Sequence, residues 1–112
     1  MSDCLFCNII NKQLPSKTVY EDDEFVAFED IHPKAPVHVL VVPKKHIKWV
    51  NDLRDEDKEL AGKWLLTARA VADKVGIGEG YKLQISVGGK GGQEVWHLHM
   101  HILGGWDKPQ TD

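Results

Sequence analysis

Apolar positions along the chain change their spacing from segment to segment, and the spacing predicts the elements. Residues 4–11 place Phe6, Ile9 and Ile10 at helical intervals, and Leu14-Pro15 ends this short helix. Residues 18–20 and 25–28 read as two short strands, and the acidic Glu21-Asp22-Asp23-Glu24 between them suits a solvated hairpin turn. His32-Pro33-Lys34-Ala35-Pro36 is a loop, because proline fixes φ and lacks an amide donor. Val37-His38-Val39-Leu40-Val41-Val42 is β-branched and almost continuously hydrophobic, as a buried central strand requires, and Pro43 closes it.

A long helix is predicted over 55–75. Leu60, Ala61, Trp64, Leu65, Ala68, Val71, Ala72 and Val75 recur with the helical period and define one apolar face. Asp55, Glu56 and Asp57 favour its N-terminus through the helix dipole. Gly76 can adopt the left-handed conformation that ends it. Residues 81–87 alternate as a strand, 88–92 read as a flexible glycine loop, and 97–103 form the last strand. Gly104-Gly105 opens a polar tail. The sum is an α+β class: a mainly antiparallel, five-stranded sheet with one long and one short helix. No linker or repeat divides it, so the expectation is a single domain over 1–112, with a core at about 4–105 and a tail at 106–112.

A chain of 112 residues can bury one compact core, and its 42% hydrophobic and 28% charged residues are ordinary for a globular protein. The net charge of −3 leaves no basic footprint, so binding of nucleic acid through a charged face is not expected. No apolar run reaches membrane-spanning length, and no signal peptide precedes Cys4, so the expected address is the cytoplasm. There Cys4 and Cys7 would be reduced.

The chemistry concentrates in His97-Leu98-His99-Met100-His101-Ile102-Leu103. In a strand, alternate side chains share a face, so this run would present an apolar face inward and a row of imidazoles on the other. Histidine titrates near neutrality, and an imidazole attacks phosphorus well and leaves again easily. Such a row serves nucleophilic or acid–base catalysis, or a metal. Gly88-Gly89-Lys90-Gly91-Gly92, followed by Gln93, Glu94 and Val95, leads into it, and glycines let backbone amides turn toward an anion. That placement points to a phosphate cradle.

Cys4-x-x-Cys7 has no preceding strand, which argues against a thioredoxin-like redox pair, and Asn8 stands where haem attachment needs histidine. Zinc needs two further ligands, for which His46 and His97 are candidates. The spacing leaves zinc and unligated thiols both open. Asp30 can hold a sugar diol or cap a turn. His38 lies within the buried strand and can meet the histidine row, His32 is a solvent-exposed loop residue, and Trp64 belongs to the core or to a dimer contact.

The histidine run resembles the signature of the histidine-triad (HIT) family. Gly91-Gly92-Gln93-Glu94-Val95-Trp96 before it and Gly104-Gly105 after it are similar to the Hint branch, the histidine triad nucleotide-binding proteins. So are Phe28-Glu29-Asp30-Ile31, Ala35-Pro36-Val37-His38 and Val42-Pro43-Lys44-Lys45-His46. The resemblance runs from about Cys4 to Gly105. It implies a homodimer in which two protomers join their sheets through the helix and a strand. It implies cleavage of purine nucleoside 5′-phosphoramidates, with His99 as nucleophile, His101 donating to a phosphate oxygen and His38 supporting the proton network. By the same resemblance Asp30 would bind the ribose, and Phe6, Ile9, Phe28, Ile31 and Leu40 would line a purine slot. Gly92, Gln93 and the amides of Glu94 and Val95 would surround the α-phosphate. Family members with an N-terminal Cys-x-x-Cys imply a structural zinc on Cys4, Cys7, His46 and His97. The wider family adds dinucleoside polyphosphate hydrolases, nucleotidyltransferases and nucleotide-binding modules with negligible turnover.

Three positions depart from the Hint pattern. Ser86 stands where many Hint proteins have Asn, which shortens a contact to the nucleotide. Glu94 stands where animal members often have Ser. A carboxylate beside a phosphate is tolerated if it turns away, is protonated or faces a cationic leaving group, and the last implies lysine-like amines. The tail from Trp106 to Asp112 is unlike the usual Hint C-terminus.

Overall fold

The β-branched run becomes the strand on which everything else is laid. The structure is a computed structural model that describes residues 2–112. Strand β3 (Val37–Pro43) sits at the centre of a five-stranded antiparallel sheet. On one side it pairs with β2 (Phe25–Glu29), and β1 (Thr18–Glu21) lies outside that. On the other it pairs with β5 (Met100–Gly104), and β4 (Tyr81–Gln84) forms that edge. The predicted α+β class and the five antiparallel strands are present.

Both faces of β3 are covered, which is why its sequence does not alternate with polar residues. Val39 and Val41 face one side, with Phe25 and Ala27 of β2 and Met100 and Ile102 of β5. The long helix α2 (Lys58–Lys74) covers that side with Trp64, Ala68, Val71 and Ala72. The opposite face carries Val26, Phe28, Leu40 and Val42, closed by Phe6 of the short helix α1 (Leu5–Ile10). Trp64 is a core residue, and its Nε1–H donates to the Val41 carbonyl at 3.0 Å, tying α2 to the central strand.

Local signals place the helices. The first residues of the predicted long helix, Asp55–Asp57, form a tighter 3-10 turn before α2 begins. Asp57 explains this entry, because its carboxylate accepts from the Arg54 amide at 3.0 Å and meets Lys45 Nζ at 3.1 Å. Gly76 ends the helix region with φ of 85°. Cys4 caps α1 by accepting from the Cys7 amide at 3.3 Å. The chain leaves α1 through Lys12 at a left-handed φ of 61°, and Lys12 then reaches Glu21 of β1 at 2.8 Å. Glu21 also meets Lys44 at 2.9 Å, and these two ammonium groups pull its carboxyl down to about 2.

Two predicted strands are shorter than expected. The last begins at Met100 rather than at His97, because the Leu98 amide donates to the Ile47 carbonyl at 2.7 Å and draws the chain toward the segment after β3. Residues 85–87 therefore lack a neighbour across the sheet, and β4 stops at Gln84.

Replacing Trp64 with Ala removes an indole that packs beneath β3 as well as its hydrogen bond. Unfolding in urea should show a loss of about 3–5 kcal/mol, the usual range for emptying a large aromatic site.

Candidate active site and metal-ligand cluster

The parity of one short segment separates stability from chemistry. Leu98, Met100 and Ile102 enter the core under α2, while His97, His99 and His101 point to the α1 face, where His38 also lies. The histidines are not a solvent-exposed row. His97 is 0% exposed, His99 is 7% exposed, and Phe6 of α1 meets the edge of His99 at 5.1 Å.

Backbone partners set which nitrogen of each ring carries hydrogen. A carbonyl only accepts, so His97 Nε2–H donates to the Pro43 carbonyl at 2.7 Å and leaves its Nδ1 lone pair free. His99 Nδ1–H likewise donates to the His97 carbonyl at 2.7 Å and leaves its Nε2 lone pair free. In His38 the order reverses. The Lys34 amide donates to Nδ1 at 3.1 Å, so the hydrogen sits on Nε2 and is given to His101 Nδ1 at 2.9 Å. His101 then carries its own hydrogen on Nε2. The site thus places a bare nitrogen on His99 beside an N–H on His101, with ring centroids 5.1 Å apart.

Burial keeps these rings uncharged. It pushes His97 and His101 down to about 4 and lowers His38 and His99 as well. Asp30 lies 3.5 Å from His38 Nε2 and favours the charged imidazole, but burial outweighs it. The Asp30 carboxylate is oriented by the His32 amide at 2.8 Å.

Cys4, Cys7, His46 and His97 converge on one point. His97 Nδ1 lies 3.3 Å from Cys4 Sγ, 3.5 Å from Cys7 Sγ and 3.1 Å from His46 Nδ1, and Cys7 Sγ lies 3.2 Å from His46 Nδ1. A tetrahedral ion with two sulfur and two nitrogen ligands spaces them by roughly 3.3–3.8 Å, close to these separations. The His97 tautomer fits too, with its lone pair facing the cluster and its other nitrogen held by a carbonyl. Burial, with Cys4 beside it, pushes the Cys7 thiol up to about 11. These four residues can hold a metal ion. Asp30, His38 and His101 also form a group of ligand types, but there the Lys34 amide occupies His38 Nδ1, so Nε2 is protonated and the group is a hydrogen-bond relay.

The glycine segment is a closed turn rather than a flexible loop. Gly89–Gly91 is 3-10, flanked by Gly88 at φ of 75° and Gly92 at φ of 94°, values that favour glycine. Ser86 lies beside it, its Oγ 3.8 Å from where a Cβ on Gly92 would stand. Gln93 is buried and spends its side chain on backbone groups. The amides of Glu94 and Val95 have no hydrogen-bond partner among the described residues. Of the expected purine-slot residues, Phe6, Phe28 and Leu40 pack on one another with Ile9 beside them, while Ile31 stands 85% exposed. A cleft of about 760 Å³ between residues 76–82 and the tail contains none of the histidines. The groups that sequence reasoning missed are mostly main-chain ones: the carbonyls of Pro43, His97 and Lys48 and the amide of Lys34. Trp49, packed over Gly88, was missed as well, although its closeness to His46 in the chain was a signal.

A five-stranded antiparallel sheet that carries alternating histidines beside a glycine turn is the HIT fold. Residues 3–111 match the family described as Scavenger mRNA decapping enzyme C-term binding, and the chain belongs to the HIT family. The chain is 45% identical over 104 residues to Protein HitA of Neisseria gonorrhoeae, covering 93% of this chain and 97% of that protein. A HIT family hydrolase from Legionella pneumophila has 46% identity and a TM-score of 0.91, covering 94% of this chain and 95% of its own. A histidine triad protein from Clostridium difficile has 41% identity and a TM-score of 0.92, covering 100% of this chain and 98% of its own.

Because His101 binds a proton near pH 4 when folded and near 6.5 when unfolded, the unfolded chain holds more protons between those values. Stability should therefore be full above about pH 6.5 and decline as pH falls toward 4. Thermal midpoints measured across this window should fall less steeply for His101→Gln than for the wild type.

Proposed function

We propose that the protein is a hydrolase of the Hint branch that cleaves purine nucleoside 5′-phosphoramidates, such as AMP joined to an amine, through a nucleotidyl-histidine intermediate. The observation that carries this reading is the bond from His99 Nδ1–H to the His97 carbonyl at 2.7 Å. It leaves an unprotonated, oriented nitrogen at neutral pH, which is what a nucleophile needs. The names of structural relatives, including HIT family hydrolases from Legionella pneumophila and Clostridium thermocellum, support hydrolysis.

In this mechanism His99 Nε2 forms a bond to the α-phosphorus as the phosphorus–nitrogen bond breaks. The amine leaves with one proton from the His101–His38 relay. Water then attacks phosphorus, displaces His99, leaves a hydroxyl on the nucleotide and returns one proton to the relay. His101 Nε2–H also faces the phosphate oxygen on which charge develops. Asp30 holds the ribose hydroxyls. Phe6, Ile9, Phe28, Ile31 and Leu40 border the purine. Ser86, Gly92 and the amides of Glu94 and Val95 border the phosphate.

The metal we assign to Cys4, Cys7, His46 and His97 is zinc. Held by four protein ligands it would have no open position, and it would supply a structural cross-link between α1 and the histidine segment. Its thiolates suit the reducing cytoplasm. We also propose a homodimer joined through α2 and edge strand β4. Leu65 and Leu66 are 52% and 53% exposed, and Leu83 and Ile85 are each 38% exposed, which supports an apolar contact there. Light scattering should give twice the protomer mass. No helix among the described residues is long and apolar enough to cross a membrane.

Two experiments test the site. AMP release from adenosine 5′-monophosphoramidate should be readily measured for the wild type and fall at least about a thousandfold in His99→Ala, since the covalent route is gone. No release by a folded wild type that binds AMP would reject this reading in favour of dinucleoside polyphosphates or binding alone. The same assay with lysine-linked and neutral amines, repeated in Glu94→Ser, reads the leaving-group preference. For the metal, elemental analysis should find one zinc per chain in the wild type and none in Cys4→Ser/Cys7→Ser. The variant should unfold at lower temperature, and equal midpoints would remove the structural role.

A further inference from the structure

Gln93 makes more side-chain contacts to main chain than any candidate phosphate ligand should. It is 5% exposed, its Oε1 accepts from the Gly88 amide at 3.0 Å, and its Nε2 donates to the carbonyls of Lys48 at 2.9 Å and Val95 at 3.0 Å. Both donors and the acceptor of its amide are thereby used, leaving no donor free to turn toward a ligand. The three partners belong to different segments: the start of the glycine turn, the chain beyond β3 and the approach to the histidines. The Gln93 amide also donates to the Gly88 carbonyl at 3.0 Å, closing the turn from the other side.

The same corner is braced from outside. Trp49 follows Lys48 and lies so close to Gly88 that a Cβ there would stand 3.3 Å from its ring. Trp49 Nε1–H donates to Asp52 at 3.1 Å, and Trp96 meets the Trp49 ring at 6.1 Å. On the inner side Val95 packs into the Phe6 and Phe28 cluster, and Phe6 touches the edge of His99. The Glu94 and Val95 amides, which have no partner among the described residues, therefore lie on the stretch between the Gln93 clamp and the nucleophile.

We infer that Gln93 is a positioning residue: it touches no substrate and instead aims the amides of Glu94 and Val95 at the phosphate of the nucleotide, held by the Lys48 carbonyl and the Trp49 ring. This rests on the nucleotide reading of the site. Losing the clamp costs contacts to phosphate but not to base or ribose, which distinguishes aiming from general loosening.

The test compares AMP with adenosine, which lacks the phosphate, by calorimetry on the wild type and Gln93→Met. Methionine keeps much of the side-chain volume and removes the acceptor and both donors without adding a charge that would itself repel the phosphate. The AMP Kd should rise about tenfold or more, the scale of one lost hydrogen bond to an anion. The adenosine Kd should change by less than about twofold, under about one-third of that free-energy shift. Trp49→Ala, which leaves Gln93 in place, should weaken AMP selectively in the same direction and supplies the answer if Gln93→Met does not fold. Equal weakening of both ligands, or an unchanged AMP Kd in a folded variant, overturns the inference. A wild type that binds no AMP overturns the nucleotide reading itself.

Discussion

His97 has no exposed surface, and every polar group beyond its amide is used. Its Nε2–H is held by Pro43, its Nδ1 faces two thiols and a second imidazole, and its carbonyl orients His99. One residue therefore joins the end of the central strand, the N-terminal helix and His99. Burying an imidazole is costly unless it is neutral and fully bonded. Meeting that condition at His97 settles the tautomer of the next histidine as well, because His99 must donate where a carbonyl waits. The bare nitrogen of His99 is a consequence of how its neighbour is satisfied.

Most of the architecture was legible because it is written in side-chain spacing. The unbroken apolar run at β3 announced a strand covered on both faces, and the helical recurrence from Leu60 to Val75 announced the layer over one of them. Cys4-x-x-Cys7 was legible as a candidate pair of ligands with His46 and His97 as candidate partners, and the fold brings these four side chains to one point. The ends of β4 and β5 were not legible. They depend on the Leu98 amide choosing Ile47, a contact between segments far apart in the chain that no local pattern records.

The candidate site was legible as a set of residues that the fold brings together, but less so in what each side chain touches. Ile31 sits beside Asp30 in sequence, yet its side chain is turned to solvent while Phe6, Phe28 and Leu40 fill one another's space. Gln93 looked like a ligand because it stands between the glycines and the histidines. Its amide is consumed by main-chain groups whose positions are set by the fold, and main-chain groups leave no mark on composition or spacing.

The alternation of 97–102 has a consequence for how this stretch can change over time. Odd positions carry imidazoles toward α1, and even positions carry aliphatic side chains toward α2. Insertion or deletion of one residue would exchange the two sets, placing imidazoles under α2 and aliphatics against the thiols. Point substitutions can tune either set independently, so the core can drift in composition while the imidazoles stay put. A change in length of one residue cannot be absorbed by either. The same change in the exposed 31–34 loop would leave both layers in register, and would act instead on the loop amides that hold His38 and Asp30.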